Sequence, residues 1–144
     1  MSERNQTLNR QIANWTVLYT KLHHYHWNVK GPQFYTLHAQ FETLYSEAAE
    51  RLDVLAERLL ALGGCPVSTL KDSLALATVQ EASGGESADQ MVSAIAKDFT
   101  QLIVELNEGI AVAEAEHDEP TADLFIGQIA ELQKHVWMLN AYLG

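Results

Sequence analysis

The chain has 144 residues, nearly half of them hydrophobic, with a single cysteine and a formal net charge of −10. That length suits one domain, residues 1–144, large enough to bury a proper core. The acidic balance argues against nucleic-acid binding driven by the overall field, and the lone Cys65 excludes an internal disulfide or a thiolate metal cluster. Residues 4–30 read as a first helix, with Leu8, Ile12, Trp15, Leu18, Leu22, Tyr25 and Val29 on one stripe. Gly31-Pro32 ends it. A second helix spans 34–62 and stops at Gly63-Gly64. Cys65 follows, expected as a small buried or half-buried side chain, and then a long connection in which 69–77 forms a short helix. Ser87 and Gln90 have the spacing of a capping box opening the third helix, which runs to about Ala115 along Met91, Ile95, Phe99, Leu102, Leu106 and Ile110. His117-Asp118-Glu119-Pro120 is a turn, and Pro120 suits the first position of the fourth helix, whose stripe is Leu124, Ile129, Leu132, Val136, Leu139 and Leu143. The expected fold is all-α: a four-helix bundle with one long crossover connection carrying a short extra helix.

No run is long and apolar enough to cross a membrane, and the N-terminal M-S-E-R-N-Q-T-L-N-R does not read as a signal peptide. With the cysteine usage, a reducing cytoplasm is the expected location.

The ionisable residues of the second helix carry the chemistry. At about 100° per residue, His38, Glu42, Asp53 and Glu57 fall near roughly 0°, 40°, 60° and 100°, whereas Leu37, Phe41, Leu44, Ala48, Leu52, Leu55, Leu59 and Leu62 fall between roughly 240° and 320°. The ionisable arc therefore points away from the core stripe. His38/Glu42 and Asp53/Glu57 are i,i+4 pairs, each able to share a ligand. The pairs are centred fifteen residues apart, roughly 22 Å at about 1.5 Å per residue. Metal–ligand bonds are about 2 Å long, so one ion cannot bridge both pairs of one helix. Two arrangements remain: two half-formed sites per chain, or an antiparallel pairing of this helix with its twin that closes two whole sites. Small Ser46 and Ala49 near the midpoint permit that approach, and an isologous two-fold is the commonest association. The intersubunit site is the preferred reading, with His26 as a fifth candidate ligand. Imidazoles and carboxylates without sulfur suit iron, manganese or zinc.

Solvation explains any one charged residue on a helix face, but the joint pattern lacks lysine and would set carboxylates against one another without a cation. His23 and His24 lack an i,i+4 carboxylate and read as surface or packing residues, and His135 reads as structural. Glu114 and His117 have the Glu-x-x-His spacing of di-iron bundles, but no second copy occurs. Glu47 and Glu50 are expected to be solvated. Asp118, Glu119 and Asp123 cluster where a helix dipole favours acids.

The stretch H-W-N-V-K-G-P-Q-F-Y-T-L-H followed by A-E-R-L-D-V-L-A-E-R-L-L-A-L-G-G resembles the signature of Dps-type mini-ferritins, and the helix pattern extends the likeness over nearly the whole chain. The resemblance implies a dodecameric hollow shell that oxidises Fe(II), usually with hydrogen peroxide, and stores ferric mineral, protecting against oxidative damage. It implies two irons per intersubunit site, held by His26, His38 and Glu42 of one subunit and Asp53 and Glu57 of the other. The family more often has Asp at position 42; Glu42 keeps the charge and carries its carboxylate further out. It further implies that Asp118, Glu119 and Asp123 line three-fold pores for Fe(II). Trp27, beside His26, is either an interceptor of stray oxidising equivalents or an interface residue.

Two other function classes compete with a ferroxidase. One is the DNA-compacting role in the family name. Residues 1–10 hold only Arg4 and Arg10 beside Glu3, so weak or absent DNA binding is expected. The other is a structural oligomer clamped by Zn(II), which cannot cycle its charge.

Overall fold

The computed structural model describes residues 1–144 and contains five helices and no strand. They are α1 (Glu3–Asn28), α2 (Phe34–Ala61), α3 (Leu70–Leu76), α4 (Ala88–Ala115) and α5 (Glu119–Leu143). Two long helices, a connection carrying a short one, and two more long helices follow in the expected order. The chain divides into two compact units, Leu8–Met91 and Met1–Thr7 with Val92–Gly144.

In the Leu8–Met91 unit, the α1 stripe from Leu8 to Val29 is buried in full. On α2, Leu37, Phe41, Leu44, Ala48, Leu55 and Leu59 are buried, while Leu52 and Leu62 at the margins are half-buried. The helix ends in a Schellman motif: the Gly63 N–H donates to the Leu60 carbonyl and the Gly64 N–H to Leu59, both at 2.9 Å. Gly63 takes φ +82°, a conformation open to glycine and strained for side chains. Arg51 turns inward, its guanidinium 5.3 Å from the centre of the fully buried Trp15 ring and 3.2 Å from Glu47 Oε2. Its charge is thus engaged with Glu47 and the Trp15 face.

Polar residues of α1 staple the crossover. Asn9 donates to the Cys65 carbonyl at 3.1 Å and accepts from the Val67 N–H at 2.8 Å. Asn14 accepts from the backbone N–H groups of Thr78 and Val79 at 2.8 and 3.3 Å. Lys21 Nζ donates to the Gln80 carbonyl at 2.8 Å, and the Tyr25 hydroxyl donates to Glu86 at 2.7 Å. A long connection without regular structure must satisfy its backbone groups somewhere, and these side chains do it. Cys65 is exposed, contrary to expectation, because this segment is held through its backbone carbonyl. α3 opens on Thr69, whose hydroxyl accepts from the Asp72 N–H. Ser87 and Gln90 exchange their capping bonds at 2.9 and 3.2 Å, as expected.

In the second unit, α4 buries Val92, Ile95, Phe99, Leu102 and Leu106, and α5 buries Phe125, Ile129, Leu132 and Leu139. Leu143 is 38% exposed, so the stripe fades before the C-terminus. Gly109 allows close packing: a Cβ there would lie 2.8 Å from Thr7 and 3.0 Å from Phe125. α5 starts one residue earlier than expected, with Asp118 as N-cap, Glu119 first and Pro120 second.

Candidate metal centre

His26 lies in the last turn of α1 and His38 in the second turn of α2, brought together by the short turn through Gly31. Their rings stack with centroids 3.7 Å apart and planes 13° apart. Each histidine bonds the other's backbone: His26 Nδ1 lies 2.6 Å from the His38 carbonyl, and His38 Nδ1 lies 2.7 Å from the His26 carbonyl. A carbonyl oxygen only accepts, so each Nδ1 carries the proton. In the neutral ring the lone pair then sits on Nε2. A metal-binding histidine characteristically has this arrangement, one nitrogen tied to a backbone carbonyl and the other left for the ion.

His26 is buried and Glu42 exposed, with His26 Nε2 3.8 Å from Glu42 Oε1. Two ligands of one ion, each about 2 Å from it, lie up to roughly 4 Å apart, so this spacing fits a shared metal. Phe34 stacks on the outer face of His38 at 5.0 Å. Tyr45 meets the His26 ring edge-on at 5.3 Å. Partial burial, then the Glu42 carboxylate and the Tyr19 phenol, hold the Tyr45 phenol above its ordinary pKa of 10. Tyr45 was not singled out in the sequence, although at about 100° per residue it falls near 340°, on the edge of the ionisable arc.

Asp53 and Glu57 are exposed further along α2. No three His, Cys, Asp or Glu side chains of a single chain form a metal cage. One chain therefore brings His26, His38 and Glu42 to one end of the arc and leaves Asp53 and Glu57 at the other. Ser46 and Ala49 between them are exposed and small.

The other candidates have packing or capping partners or face solvent. His23 lies between Tyr45 and Tyr19, 3.7 and 4.5 Å away. His24 bonds Asn28, and His135 tilts against Phe99 at 6.0 Å. Glu114 and His117 are exposed. Their spacing reflects helix termination: His117 takes φ +59°, its N–H donates to the Glu114 carbonyl, and the Asp118 N–H donates to Ala113. Asp118 is buried, caps the Thr121 N–H at 3.1 Å and lies 3.3 Å from Arg4. Glu119 and Asp123 are the exposed acids at this helix start. Glu47 is held by Arg51, and Glu50 is exposed. Trp27 is 69% exposed.

Comparison with known proteins matches the same architecture. The ferritin-like domain model matches residues 5–144. DNA protection during starvation protein 2 of Bacillus anthracis is 53% identical over 139 residues, covering 96% of this chain and 95% of that protein. The crystal structure of a Dps protein from Bacillus brevis superposes with a TM-score of 0.96 at 52% identity over the full length of both chains. A zinc-soaked Dps from Listeria innocua superposes at 0.95 with 41% identity, covering 99% of this chain and 97% of that one. Full-length likeness at this identity reaches past the bundle to the branch of the family, and the chain belongs to the ferritin-like proteins as a Dps-family mini-ferritin.

Proposed function

We propose that this protein is a ferroxidase and cytoplasmic iron store, oxidising Fe(II) with hydrogen peroxide at sites shared between subunits and keeping the ferric product in a hollow, dodecameric homo-oligomer. The observation that carries the reading is the reciprocal Nδ1 bonding of His26 and His38, which leaves both Nε2 atoms to a metal. His26, His38 and Glu42 form one half of the site; the partner subunit's Asp53 and Glu57 form the other. Two Fe(II) ions are the substrate of each site, and zinc or manganese are competing occupants of the same donors.

The protein's part is to bind and to bias. The imidazoles are fixed in direction before the metal arrives, so their ordering entropy is not lost on binding. The carboxylates bind Fe(III) more strongly than Fe(II), which lowers the free energy of the oxidised state. Each Fe(II) gives up one electron, peroxide takes two and becomes water, and hydrolysis of Fe(III) to ferric oxyhydroxide releases protons. Two irons side by side thus supply both electrons without releasing hydroxyl radical.

Anomalous scattering from Fe(II)-soaked crystals tests the site, with iron expected beside His26, His38 and Glu42 of one chain and the partner subunit's Asp53 and Glu57. Iron bound elsewhere, with this site empty, refutes the assignment. Peroxide-dependent growth of ferric absorbance tests the activity and separates it from a zinc clamp. A DNA-compacting role has less support: the charge is −10 and the first ten residues carry two arginines and no lysine.

A further inference from the structure

Side chains of α1, α3 and the end of the crossover line a cavity of about 230 Å³. Every lining residue lies in the Leu8–Met91 unit, and none is a candidate metal ligand. Val17 of α1, Leu70 and Leu74 of α3, and Ala82 of the crossover give it apolar walls. Ser73 lines the same space; it is 2% exposed, and its hydroxyl has no hydrogen-bond partner in the chain. The Thr16 hydroxyl, also on the wall, differs: it donates to the Ile12 carbonyl at 3.0 Å. Buried hydroxyls are ordinarily bonded, so Ser73 needs a partner from outside the chain.

Charge and shape narrow the ligand. Buried Lys21 and exposed Glu81 both line the cavity, and Lys21 Nζ is held at the Gln80 carbonyl at 2.8 Å. An anion there meets the Glu81 carboxylate and a cation meets the Lys21 ammonium, so a neutral molecule loses least on leaving water. Apolar walls favour a hydrocarbon body, and a rigid ring has no internal rotation to lose. A cavity of about 150 Å³ holds benzene, so this one has room for one ring with a small substituent. A phenolic hydroxyl both donates and accepts, as the Ser73 hydroxyl does. We propose that the cavity is a binding site for a small uncharged phenol, its ring against Val17, Leu70 and Leu74 and its hydroxyl on Ser73 Oγ. The inference does not rest on the ferroxidase reading.

The experiment titrates the assembled protein with phenol, followed by ligand-observed NMR, and soaks its crystals in phenol. One saturable site per chain is expected, with a dissociation constant on the order of a millimolar and density for the ring beside Ser73. Benzoate and benzylammonium, of similar size and opposite charge, should each bind at least about 10-fold more weakly. Ser73→Ala should weaken phenol about 2- to 10-fold and leave toluene unchanged, because only phenol uses the hydroxyl. Leu74→Trp, checked for helicity by circular dichroism and for assembly by size exclusion, should fill the space and abolish binding of both. Absence of saturable binding overturns the proposal, as does density for water alone beside Ser73 in the soaked crystals. Unchanged phenol affinity in Ser73→Ala or in assembled Leu74→Trp overturns the placement, and benzoate or benzylammonium binding more tightly than phenol overturns the ligand class.

Discussion

A shared site makes a prediction that no single-chain site can imitate. Consider two variants, His26→Gln/His38→Gln, which removes the imidazole half, and Asp53→Asn/Glu57→Gln, which removes the acidic half. Losing a partner outside the ligand set already costs metal sites about 10- to 100-fold, so each homo-oligomer should lose ferroxidase activity by more than about 100-fold. Co-assembly of the two restores some of it. A mixed two-fold dimer holds one site with all five ligands and one with Glu42 alone. Random pairing makes half the dimers mixed, so about a quarter of all sites should be whole.

The distance along α2 fixes the sign of this result. His38/Glu42 and Asp53/Glu57 stand roughly 22 Å apart at about 1.5 Å per residue, and α2 is a continuous helix through both. The assay is initial ferric absorbance after adding Fe(II) and peroxide to co-expressed, size-selected oligomers, with each variant alone as baseline. Recovery near one quarter of wild type supports sites shared across the two-fold. No recovery in oligomers shown by mass spectrometry to contain both chains refutes the arrangement, since a site confined to one chain is broken in both variants.

Four further outcomes test other parts of the reasoning. Asn14→Leu removes the acceptor of the Thr78 and Val79 N–H groups and, with Val79 buried, should cost about 2–4 kcal/mol, read as a lowered midpoint in chemical denaturation; an unchanged midpoint refutes the stapling role. His117→Gly relieves a left-handed side-chain conformation and should raise stability by about 1 kcal/mol, whereas a lower Tm shows that the imidazole holds the turn. Burial pulls the Glu86 carboxyl upward, but bonds from the Tyr25 hydroxyl and from the N–H groups of its own residue, Ser83 and Gly84 outweigh it, lowering the pKa from 4.5 to about 2. A depressed carboxylate stabilises the fold above its unfolded pKa, so this contribution fades as pH falls from 4.5 towards 2, and Glu86→Gln should flatten that part of the acid-denaturation profile; a parallel shift of the whole profile refutes it. The assembled protein should leave supercoiled DNA unretarded in gels at physiological salt, and a tight shift would show a local basic surface overriding the net charge.

Elements governed by period were legible in the sequence; elements governed by single polar bonds were not. Helical spacing placed the α1 stripe, the capping box at Ser87 and the opposed arcs of α2. The same spacing placed Leu143 in the α5 core, where it is 38% exposed. Asn9 and Asn14 gave no signal, because a buried asparagine tying down a loop has no repeat and looks like any polar residue on a helix. Glu114 and His117 showed their spacing but not their setting, a Schellman end with histidine in the place glycine favours. The histidine pair proposed to bind metal was legible only in part. His38 and Glu42 share a face by arithmetic, but the meeting of His26 with His38 depends on how tightly the Gly31 turn folds α2 back on α1.

That meeting joins the demands of a helix end to those of the proposed metal ligand. The His26 carbonyl is among the last four of α1, which have no amide partner within the helix, and His38 Nδ1 supplies one. The bond that completes the helix end is therefore the bond that sets the His38 tautomer, and the reciprocal bond does the same for His26. Neither requires a metal. The carboxylates contrast with this: the Glu42 side chain is 60% exposed, and Asp53 and Glu57 project from the surface of α2. An imidazole half fixed by folding and an acidic half left open to solvent suit a site completed by association. Metal affinity should then follow the dimer population: dilution to the monomer should abolish tight Fe(II) binding while leaving the two ring orientations unchanged by NMR. Tight binding by an isolated monomer would show that Asp53 and Glu57 are dispensable.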